Sequence, residues 1–297
     1  MTWQSPFEAP GSWYKAAFHV HTTQSDGRVA PEEALTWYRE QGYDIVALTD
    51  HRRLTLGAPA TAHSGLLTIS GVELDGPGYH MVGLGAKTLP ESVDRLPVQV
   101  AAAAIRDGGG IAIMAHPYWI GQTSADILAV DGITALEVFN TVCEQERGLG
   151  YARQTWDELL EAGKRLWGVA VDDTHWIGDE AGRGFVMVRA PELTEEAVLA
   201  AVASGSFYAS QGPTIQDLRI VDGEGGPCLS VRCSACARIV FHAAGPLGRV
   251  VHPTAHGMLT GGSIALQADQ IYVRVECTDA QGRTAWSNPV YLADVLS

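Results

Sequence analysis

The sequence predicts an α/β architecture, a β/α barrel followed by a small all-β region, and three observations predict it. Over about the first 210 residues, short β-rich runs alternate with amphipathic helical stretches, as in successive βα units. Five of those runs end in His, Asp or Glu, and α/β barrels build their sites from polar residues at the C-terminal ends of parallel strands. After Pro213 no helical stripe remains. Short β-type runs separated by Gly-containing turns predict an all-β sandwich over 213–297, after a barrel over 1–212.

Residues 1–15 form an irregular lead-in, and a first strand is expected at about 16–21. A strand has a side-chain period of two, so His19 and His21 point the same way, with Asp26 following in Ser25-Asp26-Gly27. Pro31 to Arg39 predicts a helix, with Pro in its first turn, Glu32 and Glu33 beside it, and Gly42 as its stop. The run Asp44 to Leu48 closes on Thr49-Asp50-His51, and Leu67 to Val72 on Glu73. Gly76-Pro77-Gly78 turns the chain into the strand holding His80. An alanine-rich helix, Val98 to Arg106, ends at Gly108-Gly109-Gly110, and strand 111–115 delivers His116. Residues 126–133 are expected as a short connection to the strand Ala135 to Asn140. Tyr151 to Glu161 is amphipathic, with Trp156, Leu159 and Leu160 on one face, and strand 166–171 delivers Asp173 and His175. A strand at 184–189 and a helix at 195–203 complete the barrel. The β region offers runs at 218–221, 228–233, 238–242, 263–267, 271–278 and 289–292.

Composition narrows the class. The chain has 297 residues, 46% of them hydrophobic, enough for a sizeable core. The net charge of −14 argues against duplex DNA or an anionic membrane as partner, since both need a basic footprint. No apolar run is long enough to span a bilayer, and the start lacks the basic and apolar segments of a signal peptide. Five cysteines, an odd number spread along the chain, suit a reducing cytoplasm. An oligomer is compatible with the sequence.

The ordered set H-x-H, S-D-G, T-D-H, G-V-E, A-H-P and D-D-T-H resembles the PHP (polymerase and histidinol phosphatase) family of metal-dependent phosphoesterases, over about the first 210 residues. The resemblance implies a distorted barrel of about seven β/α units. Gly182-Arg183-Gly184, Phe207 to Pro213 and Ala285-Trp286-Ser287-Asn288-Pro289 resemble a bacterial branch with a C-terminal β domain, some members of which are named for carbamate-ester hydrolysis. It further implies two or three divalent ions, Zn, Mn or Fe. His19, His21, Glu73 and Asp173 would hold the first, and Glu73 would bridge to a second held by His80 and His116. Asp26, His51 and His175 would hold a third, with Asp26 standing where some members have histidine. Three carboxylates against three divalent ions leave a net positive centre, which suits a small anionic substrate.

The implied activity is hydrolysis of a small phosphate ester, a nucleotide or sugar phosphate, by metal-activated water, with Asp173 or His175 moving the proton. The alternatives are a carbamate, ester or amide hydrolase at the same metals, or a non-catalytic structural or sensing module. Asp50 and Asp172 are candidates to orient His51 and His175, or to cap strand-end turns. Arg52, Arg53 and Arg183 are candidate anion clamps, and Trp119 and Trp176 candidate pocket walls. Asn140 either faces the site or fills a turn. Cys233-Ser234-Ala235-Cys236 lacks a second C-x-x-C, and His63, His242, His252 and His256 match no ligand position; all are expected to be ordinary.

Overall fold

The computed structural model describes residues 3–58, 65–253 and 257–296; His63 and His256 lie outside them. Three short apolar runs, Ile45–Ala47, Ile111–Ala115 and Trp167–Val171, are buried along almost their whole length. Strands covered on both faces need that continuous apolarity. They belong to two sheets. In one, Ser12–Ala17, Ile45–Ala47 and Leu67–Ile69 pair in parallel, with Ala16 opposite Ile45 and Ile45 opposite Leu67. In the other, Ile111–Ala115, Ile133–Asn140 and Trp167–Val171 pair in parallel. Helices Pro31–Glu40, Val98–Asp107, Arg153–Glu161 and Glu195–Ser204 fall within a residue or two of their expected spans.

The strands are not uniformly parallel, contrary to the sequence expectation. Tyr79–Leu84 runs antiparallel to both Gly71–Gly76 and Ile111–Ala115, and Phe185–Ala190 antiparallel to Ser12–Ala17. The reason for the first reversal is length. Only Pro77 and Gly78 separate Gly71–Gly76 from Tyr79–Leu84, with Gly78 at φ +76°, and a two-residue link makes a hairpin where a parallel pair needs a long crossover. Isolated bridges link the segments that follow the strands of one sheet to the other, His51 to Glu73, Thr55 to Gly71 and Val20 to Thr174; the first joins two predicted ligands, and the last joins residues that lie between predicted ligands.

Among the described residues, three short α-helices were not expected from sequence: Pro117–Ile120, Ser124–Leu128 and Thr141–Arg147. The second is started by a reciprocal cap between Thr123 and Asp126, the third by Asn140, whose Oδ1 accepts from the Cys143 amide.

The C-terminal runs form strands Ile215–Gly223, Gly226–Cys236, Arg238–Ala243, Leu259–Ala265, Tyr272–Thr278 and Val290–Tyr291, with Arg249–Val251 and Thr284–Ser287 in addition. Three of them make a separate sheet. The others extend the sheet of Ser12–Ala17, because Phe207–Ser210 pairs with both Phe185–Ala190 and Thr284–Ser287. Between the two sheets lies a core including Leu229, Val231, Phe241, Val273 and Val275. Among the described residues, no helix is long and apolar enough to cross a membrane.

Candidate metal centre

His19 and His21 follow the strand Ser12–Ala17, and both are completely buried. Their backbone is fixed on both sides. Asp173 N donates to His19 O and His21 N to Thr174 O, both at 3.0 Å, and Val20 N donates to Thr49 Oγ1 at 2.9 Å. The following loop folds back on Asp50, whose carboxylate accepts from Thr22 N (2.8 Å), Thr22 Oγ1 (2.8 Å) and Ser25 Oγ (2.7 Å). Gly27 closes this loop so tightly that a Cβ there would lie 2.7 Å from His21 C. Asp26 is thereby held beside the histidines.

Four ligand atoms then converge. His19 Nε2 and His21 Nε2 are 3.1 Å apart. Glu73 Oε2 lies 3.3 and 3.1 Å from them, and Asp173 Oδ1 3.0 and 3.1 Å. A tetrahedral ion with ligand distances of about 2.0 Å has edges of about 3.3 Å, so these separations suit a first-row divalent ion. The other Glu73 oxygen, Oε1, is 2.9 Å from His80 Nδ1 and 3.2 Å from His116 Nε2. Asp26 faces His175 Nε2 at 3.4 Å and His51 Nε2 at 3.6 Å. All nine ligand positions read from the sequence are thus brought together. His51 differs in one respect: its Nδ1 is also 3.1 Å from Glu73 Oε2, so it faces the centre of the cluster as well as Asp26.

The electrostatics follow from burying carboxylates among imidazoles. Burial opposes charge on His21, but the carboxylates of Asp173 and Glu73, each 3.1 Å from its Nε2, outweigh it and push its pKa up to about 9. His19 is raised too, burial being overcome by Asp173, Glu73 and Glu137. Burial likewise opposes ionisation of Glu73 and Asp173, yet His19 and its neighbours hold both well below the usual carboxylate range. The site therefore attracts positive charge, and a proton is the smallest cation that satisfies it. Asp173 Oδ1 and His51 Nδ1 are buried without a hydrogen-bond partner, although each sits about 3 Å from other ligand atoms. Unpartnered, converging N and O donors fit divalent ions of the Zn, Mn or Fe kind.

A second layer orients the ligands, and sequence reasoning missed its main member. Glu137, buried in Ile133–Asn140, accepts from His19 Nδ1 at 2.6 Å, from the His116 amide at 2.8 Å and from Asn140 Nδ2 at 2.9 Å. Its signal was present: a lone carboxylate inside an apolar strand. Asn140 both caps its helix and donates to Asp173 Oδ2 at 3.1 Å. Glu180, also missed, accepts from His175 N, Ile177 N and Gly178 N, shaping the loop that presents His175. His116 and Asp173 themselves occupy positive φ, at 22° and 56°, a strained backbone maintained by these surroundings.

The contacts decide between the readings left open for the other candidates. Asp50 serves the Thr22–Ser25 loop rather than His51. Asp172 accepts from the amides of Gly182, Arg183 and Gly184 and from Tyr38 OH, so it caps a turn instead of orienting His175. Arg52 has φ 56° and turns outward to Asp75 and Asp94. Arg183 is held by Asp179. Neither lines the pocket over the ligands. That pocket, about 270 Å³, is walled by Trp119, Val142, Cys143, Glu146 and Ile177, with no lysine or arginine among its described lining residues. Trp119 stands edge-on to His116 at 5.2 Å. Trp176 does not reach the pocket: it packs on Trp37 and donates to His21 O.

No family model matches the chain. A 5'-3' exoribonuclease of Haemophilus influenzae is 35% identical over 95 residues, which is 29% of this chain and only 35% of that protein. A two-domain protein from Bacteroides vulgatus, described as containing a predicted PHP-like metal-dependent phosphoesterase, superposes with a TM-score of 0.54 at 16% identity, over 94% of this chain and 95% of that one. A lesion-specific endonuclease of Pyrococcus furiosus reaches 0.47 at 12% identity, over 65% of this chain and 56% of its own. The chain has the fold of the PHP-like two-domain protein along nearly its whole length.

Proposed function

We propose that this chain is a metal-dependent hydrolase of a small phosphate ester, a nucleotide or sugar phosphate. The observation that carries this is Glu73. Its two oxygens face separate imidazole groups, the arrangement of a carboxylate bridging two ions, and paired ions in phosphatases and nucleases clamp the attacking and leaving oxygens. The bound ions would supply an activated water and charge stabilisation at the phosphoryl group. The likeness to an exoribonuclease over the matched segment supports a nucleotide substrate.

The chain's own residues do the rest. His175 donates Nδ1–H to Asp173 O at 2.8 Å, so its Nε2 lone pair faces the pocket beside Asp26. That atom would serve as a ligand to a third ion, and without one it is placed to accept a proton. Burial of Glu73 and Asp173 keeps water from competing for their oxygens. The scissile group would sit in the pocket of about 270 Å³ over the ligands, with Trp119 as one wall. The barrel-like closure of the two sheets around the ligands belongs to the same reading.

One observation favours a second reading, hydrolysis of a carbamate or ester. The pocket wall carries Glu146 and apolar groups and no fixed cation to hold a phosphate. The test uses matched substrates: an aryl phosphate and an aryl carbamate with the same leaving group, beside nucleoside and sugar phosphates. Protein loaded with Mn or Zn should release phosphate, and chelated protein or His116→Ala should not. Cleavage of the carbamate alone would replace the first reading by the second, and no cleavage by metallated protein would reject both.

A further inference from the structure

Cys233, Cys236 and Cys277 bring their sulfurs together in the C-terminal region, all three buried. The sequence showed only a C-x-x-C pair; the third thiol arrives from Tyr272–Thr278, on the other sheet. In a regular strand, residues three apart point to opposite faces. Here the register of Gly226–Cys236 against Leu259–Ala265 shifts between Arg232 and Cys236, and that irregularity turns both thiols toward Cys277. Their cross-strand partners, Ile215, Leu259, Ile239 and Ala285, are apolar.

Cys233 Sγ and Cys236 Sγ are 3.9 Å apart. Metal–thiolate bonds of about 2.3 Å place sulfurs about 3.8 Å apart in a tetrahedral site and about 4.0 Å apart in a trigonal one. A disulfide would need about 2.05 Å. We propose that Cys233, Cys236 and Cys277 form a separate three-thiolate site for a thiophilic divalent ion of the zinc class, which staples the two sheets of the C-terminal region. Three thiolates with a divalent ion leave one net negative charge in an apolar core, where a monovalent ion would leave two, and burial penalises the larger charge. Soft sulfur ligands also separate this site from the imidazole and carboxylate centre.

The test is an anaerobic titration of the reduced, full-length protein with Cd²⁺, read by the ultraviolet thiolate-to-cadmium charge-transfer band and by thermal melts. The band should appear in wild type and in His116→Ala. Cys143 lines the other pocket, so Cys143→Ser should retain the band as well. Cys277→Ala and Cys236→Ala should lose most of it, together with the rise in Tm that Cd²⁺ gives wild type. Two substitutions guard against one failing to fold, which circular dichroism would reveal. Absence of the band in wild type, its loss in Cys143→Ser instead, or a Cys233–Cys236 disulfide in protein kept reduced would overturn the site.

Discussion

Glu137→Gln tests whether the second layer of the centre sets its affinity for metal. Glu137 takes three donors on two oxygens: His19 Nδ1–H on Oε1, the His116 amide and Asn140 on Oε2. Glutamine keeps the volume but has one oxygen. If that oxygen retains the two donors on Oε2, the new NH₂ group meets His19 Nδ1, which must then accept. The imidazole proton moves to Nε2, the atom that lies 3.0 Å from Asp173 Oδ1 and 3.3 Å from Glu73 Oε2. A ligand lone pair is lost without any ligand being replaced. Substitutions of such partners typically cost 10- to 100-fold in metal affinity, which is about 1.4 to 2.7 kcal/mol. The assay is competition against a chromophoric chelator with Mn or Zn, with circular dichroism to establish the fold. Affinity within about twofold of wild type in a folded variant would refute the argument, because the tautomer would then not be set by Glu137.

Two further predictions concern charge. The His21 pKa rises from 6.5 to about 9 in the folded protein, so the folded metal-free chain holds more protons than the unfolded chain between those values. Its contribution to stability is complete below 6.5 and is lost as pH rises through 9, so the chelated protein should melt at lower temperature across that window. Metal competes with the same proton, so affinity should rise over the same range, and melts of chelated and loaded protein should diverge; parallel curves would contradict this. Arg52→Ala and Arg183→Ala should leave kcat/KM for phosphate esters within about twofold of wild type, since each side chain is occupied by surface carboxylates. A larger rise in KM confined to anionic substrates would restore them as clamps.

Several ligands were legible because they lie just beyond an apolar run, as His51, His116 and Asp173 do, and hydrophobic runs locate strand ends well. The supporting groups were hidden for a different reason. Glu137 meets His19 across 118 residues, and a pairing at that distance leaves no local pattern. The arginines misled because neighbourhood in sequence does not fix direction. Arg52 follows His51 directly, but its left-handed backbone sends the guanidinium away from the pocket. The antiparallel strand Tyr79–Leu84 was foreshadowed by its two-residue link, a signal outweighed by the surrounding βα alternation. The cysteine cluster needed the third dimension, since Cys277 comes from a different strand and sheet.

The same limitation explains why Ala285-Trp286-Ser287-Asn288-Pro289 had no physical account until its neighbours were known. Trp286 stacks on Phe139, with ring centroids 6.1 Å apart and planes at 17°, one residue before the Asn140 that holds Asp173. Asn288 accepts from Gly168 N and donates to the carbonyls of Gly205 and Phe207, pinning the strand that leads to Asp173. Arg274, with no exposed surface, spans from the C-terminal region to the helix behind these strands. It donates to Asp157 at 2.7 and 2.6 Å and to Glu276 at 2.7 Å, and lies over Trp156. A buried guanidinium is tolerated only where all its charge is met this closely, and removing one partner leaves an uncompensated charge that costs roughly 3 to 5 kcal/mol. Half of that network lies on each side of residue 212, and the sheet runs through it by the pairing of Tyr208 with Ser287. Among the described residues, the change of texture at 212 therefore marks where α-helices stop. It does not mark where the support of the candidate metal centre stops, because the strand carrying Glu137 and Asn140 and the strand leading to Asp173 are braced from behind by side chains that come after it.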